Sequence, residues 1–273
     1  MSGLSAKRTS GGGLGEPGGS PNADRVRIVV GHLYPEYLNI YADRGNIAVL
    51  AQRAAWRGHE LEVQVVSADD PLVPGAHDLL YIGGGQDREQ ALVARDLVSK
   101  RGAVLEAAAG GAAVLAVCGG YQLLGRFYRF GNGEELPGVG LFPHHTIAGE
   151  RRMIGDILLE TELEGERRTI AGFENHAGRT YLDADAEPLG RVVAGFGNEG
   201  ESGHEGCRVG RAIGTYLHGP LLPRNPWLAD WVLAQAIAHR TGEAPRFEPL
   251  DDQLEDEAHA VSSQRARARG GRF

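Results

Sequence analysis

The chain has 273 residues, 42% of them hydrophobic, enough for one large α/β domain or two small ones with a real core. Its 36 acidic and 28 basic residues leave a formal net charge of -8, which gives nucleic-acid binding no electrostatic support. No apolar run approaches the roughly eighteen residues of a membrane span, Met1–Asp24 lacks the apolar centre of a signal peptide, and two cysteines make no disulfide framework, so a cytoplasmic location is expected.

Residues 1–24 are Gly/Ser/Pro-rich and read as a disordered tail. A strand is expected at Val26–Val30, then a helix over Asn46–Arg57 with apolar spacing at Ile47, Leu50 and Ala54 and a stop at Gly58. Leu61–Val66 alternates as a strand does, and Leu79–Ile82 is a buried strand that breaks into Gly83-Gly84-Gly85. A helix over Arg88–Ala108 and a strand over Ala112–Val117 complete a βαββαβ order, which predicts a mostly parallel sheet flanked by helices. Further strands near 156–160, 168–173 and 191–196 are read as antiparallel additions at one edge. Ala212–Leu217 is an apolar strand, and Asn225-Pro226 opens a helix as N-cap and first helical residue. Residues 243–273 pair an acidic stretch, Asp251–Glu257, with a basic end, Arg265–Arg272, and read as a second, charged and disordered tail. The folded unit is thus expected over 25–242.

In such sheets the active site lies beyond the C-terminal ends of the strands. Gly83-Gly84-Gly85, Cys118 and His218 all fall at such ends. A buried cysteine is by itself more often a core residue. Here it stands between an apolar strand and Gly119-Gly120, where the following helix favours a thiolate, and a strand-end histidine supplies the matching base. Backbone N–H groups at Gly85 and Gly119 can face the negative charge that develops in acyl transfer. Gln122, one helical turn past Cys118, can bind the α-amino or α-carboxylate group of an amino acid, although an amide there can equally satisfy the core. One of Arg151 and Arg152 can clamp a carboxylate. His144-His145 and Glu174-Asn175-His176 lack metal-binding spacing, so no metal site is expected; His176 is placed in the site wall. No role is assigned to Cys207.

Cys118-Gly119-Gly120-Tyr121-Gln122, Gly83-Gly84-Gly85-Gln86-Asp87, Gly172-Phe173-Glu174-Asn175-His176-Ala177-Gly178, Tyr216-Leu217-His218-Gly219-Pro220 and Leu38–Asn46 together resemble class I glutamine amidotransferases of the cobyric-acid-synthase-like branch. The absence of an ATP-binding half makes the core most similar to the small glutaminase subunits of lipid II isoglutaminyl synthase, which pair with a Mur-ligase-like subunit, MurT. The resemblance implies a flavodoxin-like fold, L-glutamine as substrate, Cys118 as nucleophile, His218 as proton relay and an oxyanion held by Gly85 and Gly119. It also implies that Gln122, Asn175, His176 and Arg152 contact the substrate. No cofactor is expected in this chain; ATP and Mg are expected on the partner, with the lipid II acceptor. Two departures stand out. Ala116 replaces the Gly usual two residues before the nucleophile, and His218-Gly219-Pro220 lacks the acid of the His-x-Glu found in many members, an acid then expected from the partner. An ammonia supplier for corrinoid amidation and a non-catalytic flavodoxin-like scaffold are the alternatives.

Overall fold

The computed structural model describes residues 25–40 and 44–269; the first expected tail and Tyr41–Asp43 of the Leu38–Asn46 segment lie outside them. The first half alternates as its periodicity predicts: β1 (Arg27–Leu33), α1 (Arg44–Trp56), β2 (Glu60–Val66), β3 (Leu79–Ile82), α2 (Asp87–Ser99), α3 (Arg101–Ala109), β4 (Ala113–Val117) and a short α4 (Gly119–Leu123). The single helix expected over Arg88–Ala108 is two, interrupted at Lys100, whose φ of -88° and ψ of 3° leave the helical range. Strands β5 (Phe127–Arg129), β6 (Glu135–Pro137), β7 (His144–Leu163), β8 (Glu166–Leu182), β9 (Gly190–Ala194), β10 (His204–Glu205), β11 (Cys207–Val209), β12 (Ala212–Thr215) and β13 (Leu217–His218) follow. A 3-10 turn over Leu222–Arg224 leads into α5 (Pro226–Thr241), and α6 (Gln253–Arg269) closes the described chain.

Two sheets result. The first has six strands in the order β11-β12-β4-β3-β1-β2, parallel throughout except for β11 at one edge. Its central strands β3 and β4 are apolar and buried along their whole length, as strands covered on both faces must be. The C-terminal ends of β3, β4 and β12 come together at one end of this sheet, and the chain leaves them through Gly83, Cys118 and Tyr216. Ala116 is fully buried there, opposite Gly214, whose missing side chain leaves room for the ring of Tyr121.

The strands expected near 156–160, 168–173 and 191–196 are longer than anticipated. They form a second, seven-stranded sheet rather than edge additions to the first; the antiparallel edge of the first sheet is β11. Its spine is the β7–β8 hairpin, paired from His144↔Leu182 to Leu163↔Glu166, with a register break between Ala148 and Met153. The expected strand Ala212–Leu217 is divided at Tyr216: β12 belongs to the first sheet, and β13 crosses to pair with β8, His218 opposite Phe173.

The second expected tail is ordered through Arg269. Opposite charge blocks are usually solvated, but the helix α6 is held by specific contacts. Ala266 is fully buried against Leu158 and Ala171, His259 bonds Thr169 and Asn225, and Arg265 approaches Asp156 at 3.4 Å. Upstream, the buried Arg53 of α1 donates to Asp230 of α5 at 2.7 Å and to Asp252 at 2.9 Å, tying the approach to α6 onto the core. Asn225 precedes α5 as predicted, but its amide does not cap the helix; it bonds Ala171 on β8 through both its oxygen and its nitrogen.

His144, at the start of β7, is buried against Tyr121 and Phe142. Burial, with a smaller contribution from His145, lowers its pKa from 6.5 to about 3. A depressed imidazole contributes stability that is present above the unfolded value and lost as the pH falls through the folded one. His144→Phe is therefore expected to reduce the loss of thermal stability between pH 6.5 and about 3; an unchanged acid profile would contradict the assignment.

Candidate active site

Cys118 has φ 49° and ψ -105°, a conformation that non-glycine residues rarely adopt and that costs about 1–3 kcal/mol. Its amide donates to Thr215 O at 2.8 Å, and its carbonyl accepts from Gln122 N at 3.0 Å. These bonds turn the chain sharply from β4 into α4 and present the side chain at the turn, as in other nucleophile elbows. Cys118 is 5% exposed and lines a cavity of about 320 Å³. A cavity of this size has room for an amino acid.

The glycines beside it are fixed by contact. A Cβ on Gly119 would lie 2.8 Å from Gly85 N and 2.9 Å from Gly85 O, and one on Gly120 would lie 2.7 Å from Ile82 O. Gly120 N donates to Gly83 O at 3.1 Å. The loop after β3 and the start of α4 are therefore packed backbone to backbone, which brings the predicted Gly85 and Gly119 together next to Cys118. Ile40 completes this corner, lining the cavity and donating its amide to Gly84 O at 3.2 Å.

The opposite wall comes from β7 and β8. The register break between Ala148 and Met153 takes residues 149–152 out of the ladder. Arg152 then turns onto Asn175, with Nε 2.8 Å from Oδ1 and Nη2 3.0 Å from the carbonyl. Arg152, Asn175 and His176 all line the cavity. Arg151 does not, and its carbonyl accepts from Arg179. The His176 ring stacks on Tyr216 with centroids 3.6 Å apart, while Nδ1 lies 2.8 Å from Gly178 O and Nε2 lies 3.7 Å from buried Glu174. Burial lowers the pKa of His176, with Glu174 opposing it.

Gln122 lines the cavity but its amide is already engaged. Its Oε1 accepts from Gln90 at 2.9 Å, and its Nε2 donates to the Tyr216 hydroxyl at 3.0 Å. Gln90 also donates to Gly85 O at 3.1 Å, which fixes the orientation of that peptide. Tyr216 passes the chain on to Thr180 at 2.6 Å, and Thr180 to Thr146 at 2.7 Å. This ladder joins the glycine loop, the elbow helix and the second sheet. His218 is fully buried on β13, two residues beyond Tyr216.

Gln90 and Tyr128 lie outside the sequence motifs, and Asp87 and Tyr216 lie within them without an assigned role. All but Tyr216 line the cavity, and the Tyr128 hydroxyl bonds Asp87 at 3.2 Å. Gln90 had a visible signal: it occupies the apolar stripe of α2 with Val93, Ala94 and Leu97, where an amide is out of place unless it bonds something.

A turn-mounted cysteine facing a small polar cavity, with bare backbone beside it, suits amide or ester chemistry through a thioester. Residues 29–226 match the CobB/CobQ-like glutamine amidotransferase domain. The chain belongs to that family. Among CobB/CobQ-like relatives, the lipid II isoglutaminyl synthase (glutamine-hydrolyzing) subunit GatD of Staphylococcus aureus is 39% identical over 88% of this chain and 96% of its own length. The subunit of the same name from Streptococcus pneumoniae is 38% identical over 85% of this chain and 88% of its own. The solved structure of PurLQS from Thermotoga maritima shares the fold at a TM-score of 0.55 and 17% identity, covering 79% of this chain and 99% of that one.

The two cysteines make a direct contrast. Cys207 is fully buried on β11, and burial pushes its thiol up to about 12. A glutamine-mimicking chloroketone is expected to label the native chain once, at Cys118, and L-glutamine to protect it. Labelling at Cys207, or no protection, would contradict the site.

Proposed function

We propose that this chain is the cytoplasmic glutaminase subunit of a lipid II isoglutaminyl synthase, supplying ammonia to a Mur-ligase-like MurT partner. The observation that carries the reading is the strained Cys118 facing a cavity walled by Gly85, Gln122, Arg152, Asn175 and His176. Full-length similarity to two GatD subunits favours lipid II over a corrinoid acceptor.

In this reading L-glutamine enters with its carboxamide toward Cys118 and its α-carboxylate toward Arg152. His218 takes the thiol proton as Sγ attacks the carboxamide carbon. The oxygen gains negative charge and is held by the amides of Gly85 and Gly119, the first in a peptide whose carbonyl, Gly84 O, accepts from Ile40 N, the second at the elbow. Collapse of the adduct breaks the C–N bond, and His218 returns its proton to the departing nitrogen, giving ammonia and a γ-glutamyl thioester. Water, deprotonated by His218, then cleaves the thioester to glutamate and free Cys118. Asn175 and His176 shape the amino-acid end of the cavity, and Gln122 acts through its bonds to Gln90 and Tyr216. The partner is the expected home of ATP and Mg, which activate the α-carboxyl of D-glutamate in lipid II for amidation to D-isoglutamine.

Glutamate release from L-glutamine tests the reading, measured alone and with the Mur-ligase-like partner. Cys118→Ala is expected to abolish release. Gly119→Ala, whose methyl would press on Gly85, is expected to lower kcat by about 10²–10³-fold, the range for loss of an oxyanion donor. D-isoglutamine in lipid II is expected to form when both subunits, ATP and Mg are present. Release that survives Cys118→Ala would overturn the assignment and restore the scaffold alternative.

A further inference from the structure

Glu205 takes no part in the reaction above, yet it is fully buried and engaged at the point where the two sheets exchange strands. Two crossovers meet there. The chain passes from β10 in the second sheet to β11 in the first through Gly206, and from β12 in the first to β13 in the second through Tyr216. At the second crossover the ladder of one sheet has ended and that of the other has just begun, so buried N–H groups need acceptors from elsewhere. Glu205 Oε1 accepts from Tyr216 N at 2.6 Å. Its Oε2 accepts from the Thr215 hydroxyl at 3.0 Å, and that hydroxyl accepts from Leu217 N at 3.1 Å.

The peptide between Thr215 and Tyr216 therefore has two distinct partners. Its N–H donates to Glu205, and its carbonyl accepts the amide of Cys118 at 2.8 Å. One rigid plane connects a buried carboxyl to the backbone of the strained elbow. The same residue, Tyr216, carries the ring under His176 and the hydroxyl that receives Gln122. Two positions further on, His218 enters the second sheet opposite Phe173.

We propose that Glu205 is a positioning residue for the glutaminase reaction, holding the Thr215–Tyr216 peptide so that Cys118 and His218 keep their relative placement across the two sheets. The proposal rests on the glutaminase reading. Neighbouring contacts support a demand for fixed geometry: Asn198 bonds Gly206 through both its oxygen and its nitrogen at 3.0 Å, and Gly206 has no room for a side chain, since a Cβ would lie 2.5 Å from Gly214 O. Burial pushes the Glu205 carboxyl up to about 8, so a neutral side chain of the same shape is a close substitute near neutrality.

The test is steady-state glutamate release by the full chain with its partner subunit, for wild type, Glu205→Ala, Glu205→Gln and Thr215→Val. Displacing a reacting group by about 1 Å costs about a hundredfold in rate. Glu205→Ala is expected to lose about that factor in kcat with KM unchanged, because Glu205 itself does not line the cavity. Glu205→Gln, which keeps an acceptor for Tyr216 N–H, is expected to restore most of kcat. Thr215→Val, which breaks the hydroxyl link, is expected to fall between wild type and Glu205→Ala. Unchanged kcat in Glu205→Ala and Thr215→Val, a loss expressed in KM, or a Gln variant no better than Ala would each overturn the proposal. If Glu205→Ala does not fold, Thr215→Val decides by the same split between kcat and KM. A wild-type complex that releases no glutamate would instead overturn the glutaminase reading, and the positioning role with it.

Discussion

Cys118 is held in a backbone conformation it would not choose, and the surrounding structure is arranged around keeping it there. Its positive φ is imposed from both sides, by Thr215 O on its amide and by the first turn of α4 on its carbonyl. The turn closes because Gly119 and Gly120 allow the helix to press against the backbone of Ile82, Gly83 and Gly85. A strain of about 1–3 kcal/mol survives in a fold when neighbours over-determine it. Here the over-determination comes from a buried parallel strand, β4, hydrogen-bonded on both sides to β3 and β12. The contacts that hold the elbow also pack Gly119 against the backbone of Gly85, which lines the same cavity as Cys118.

The second sheet makes this elbow into a site. A single parallel sheet supplies the nucleophile and the glycine loop. The wall bearing Arg152, Asn175 and His176 comes from the β7–β8 hairpin, and His218 joins that sheet opposite Phe173 because the chain changes sheets at Tyr216. Polar side chains cover the seam: Gln90, Gln122, Tyr216 and Thr180 form one continuous ladder. A buried ladder of side-chain hydrogen bonds fixes the relative orientation of the elements it joins.

Much of the first sheet was legible in the sequence, because its strands are continuous apolar runs and its helices carry 3.6-residue spacing, with Gly58 as a stop. The hairpin was not, since alternation in β7 is interrupted by the exposed run at 150–152 and the buried run at 156–159, and single-window reading captures only fragments such as 156–160. The break at Lys100 left no trace either, because Ser99, Lys100 and Arg101 are all compatible with a helix. Residues 253–269 misled by composition: one buried alanine and a few charge contacts anchor a helix whose sequence otherwise resembles a solvated tail. In the site, Cys118, Gly85 and Gly119 were readable from chemistry placed at strand ends. Gln122 was readable as a site residue but not as a partner of Gln90 and Tyr216, because those bonds join elements far apart in the chain. Glu205 lies between two glycine-bearing turns, and nothing in its local pattern distinguishes it from a surface acid.

The account stands on Cys118 forming a covalent γ-glutamyl thioester within this cavity. Rapid acid quenching of the full chain with L-glutamine, followed by intact-mass and peptide analysis, tests that directly. The account predicts a transient mass increase equal to one γ-glutamyl group, located on the peptide carrying Cys118 and lost on treatment with a competing thiol. Glutamate production with no such adduct at any quench time, under conditions where thioester hydrolysis is slower than its formation, or an adduct on a different residue, would contradict it.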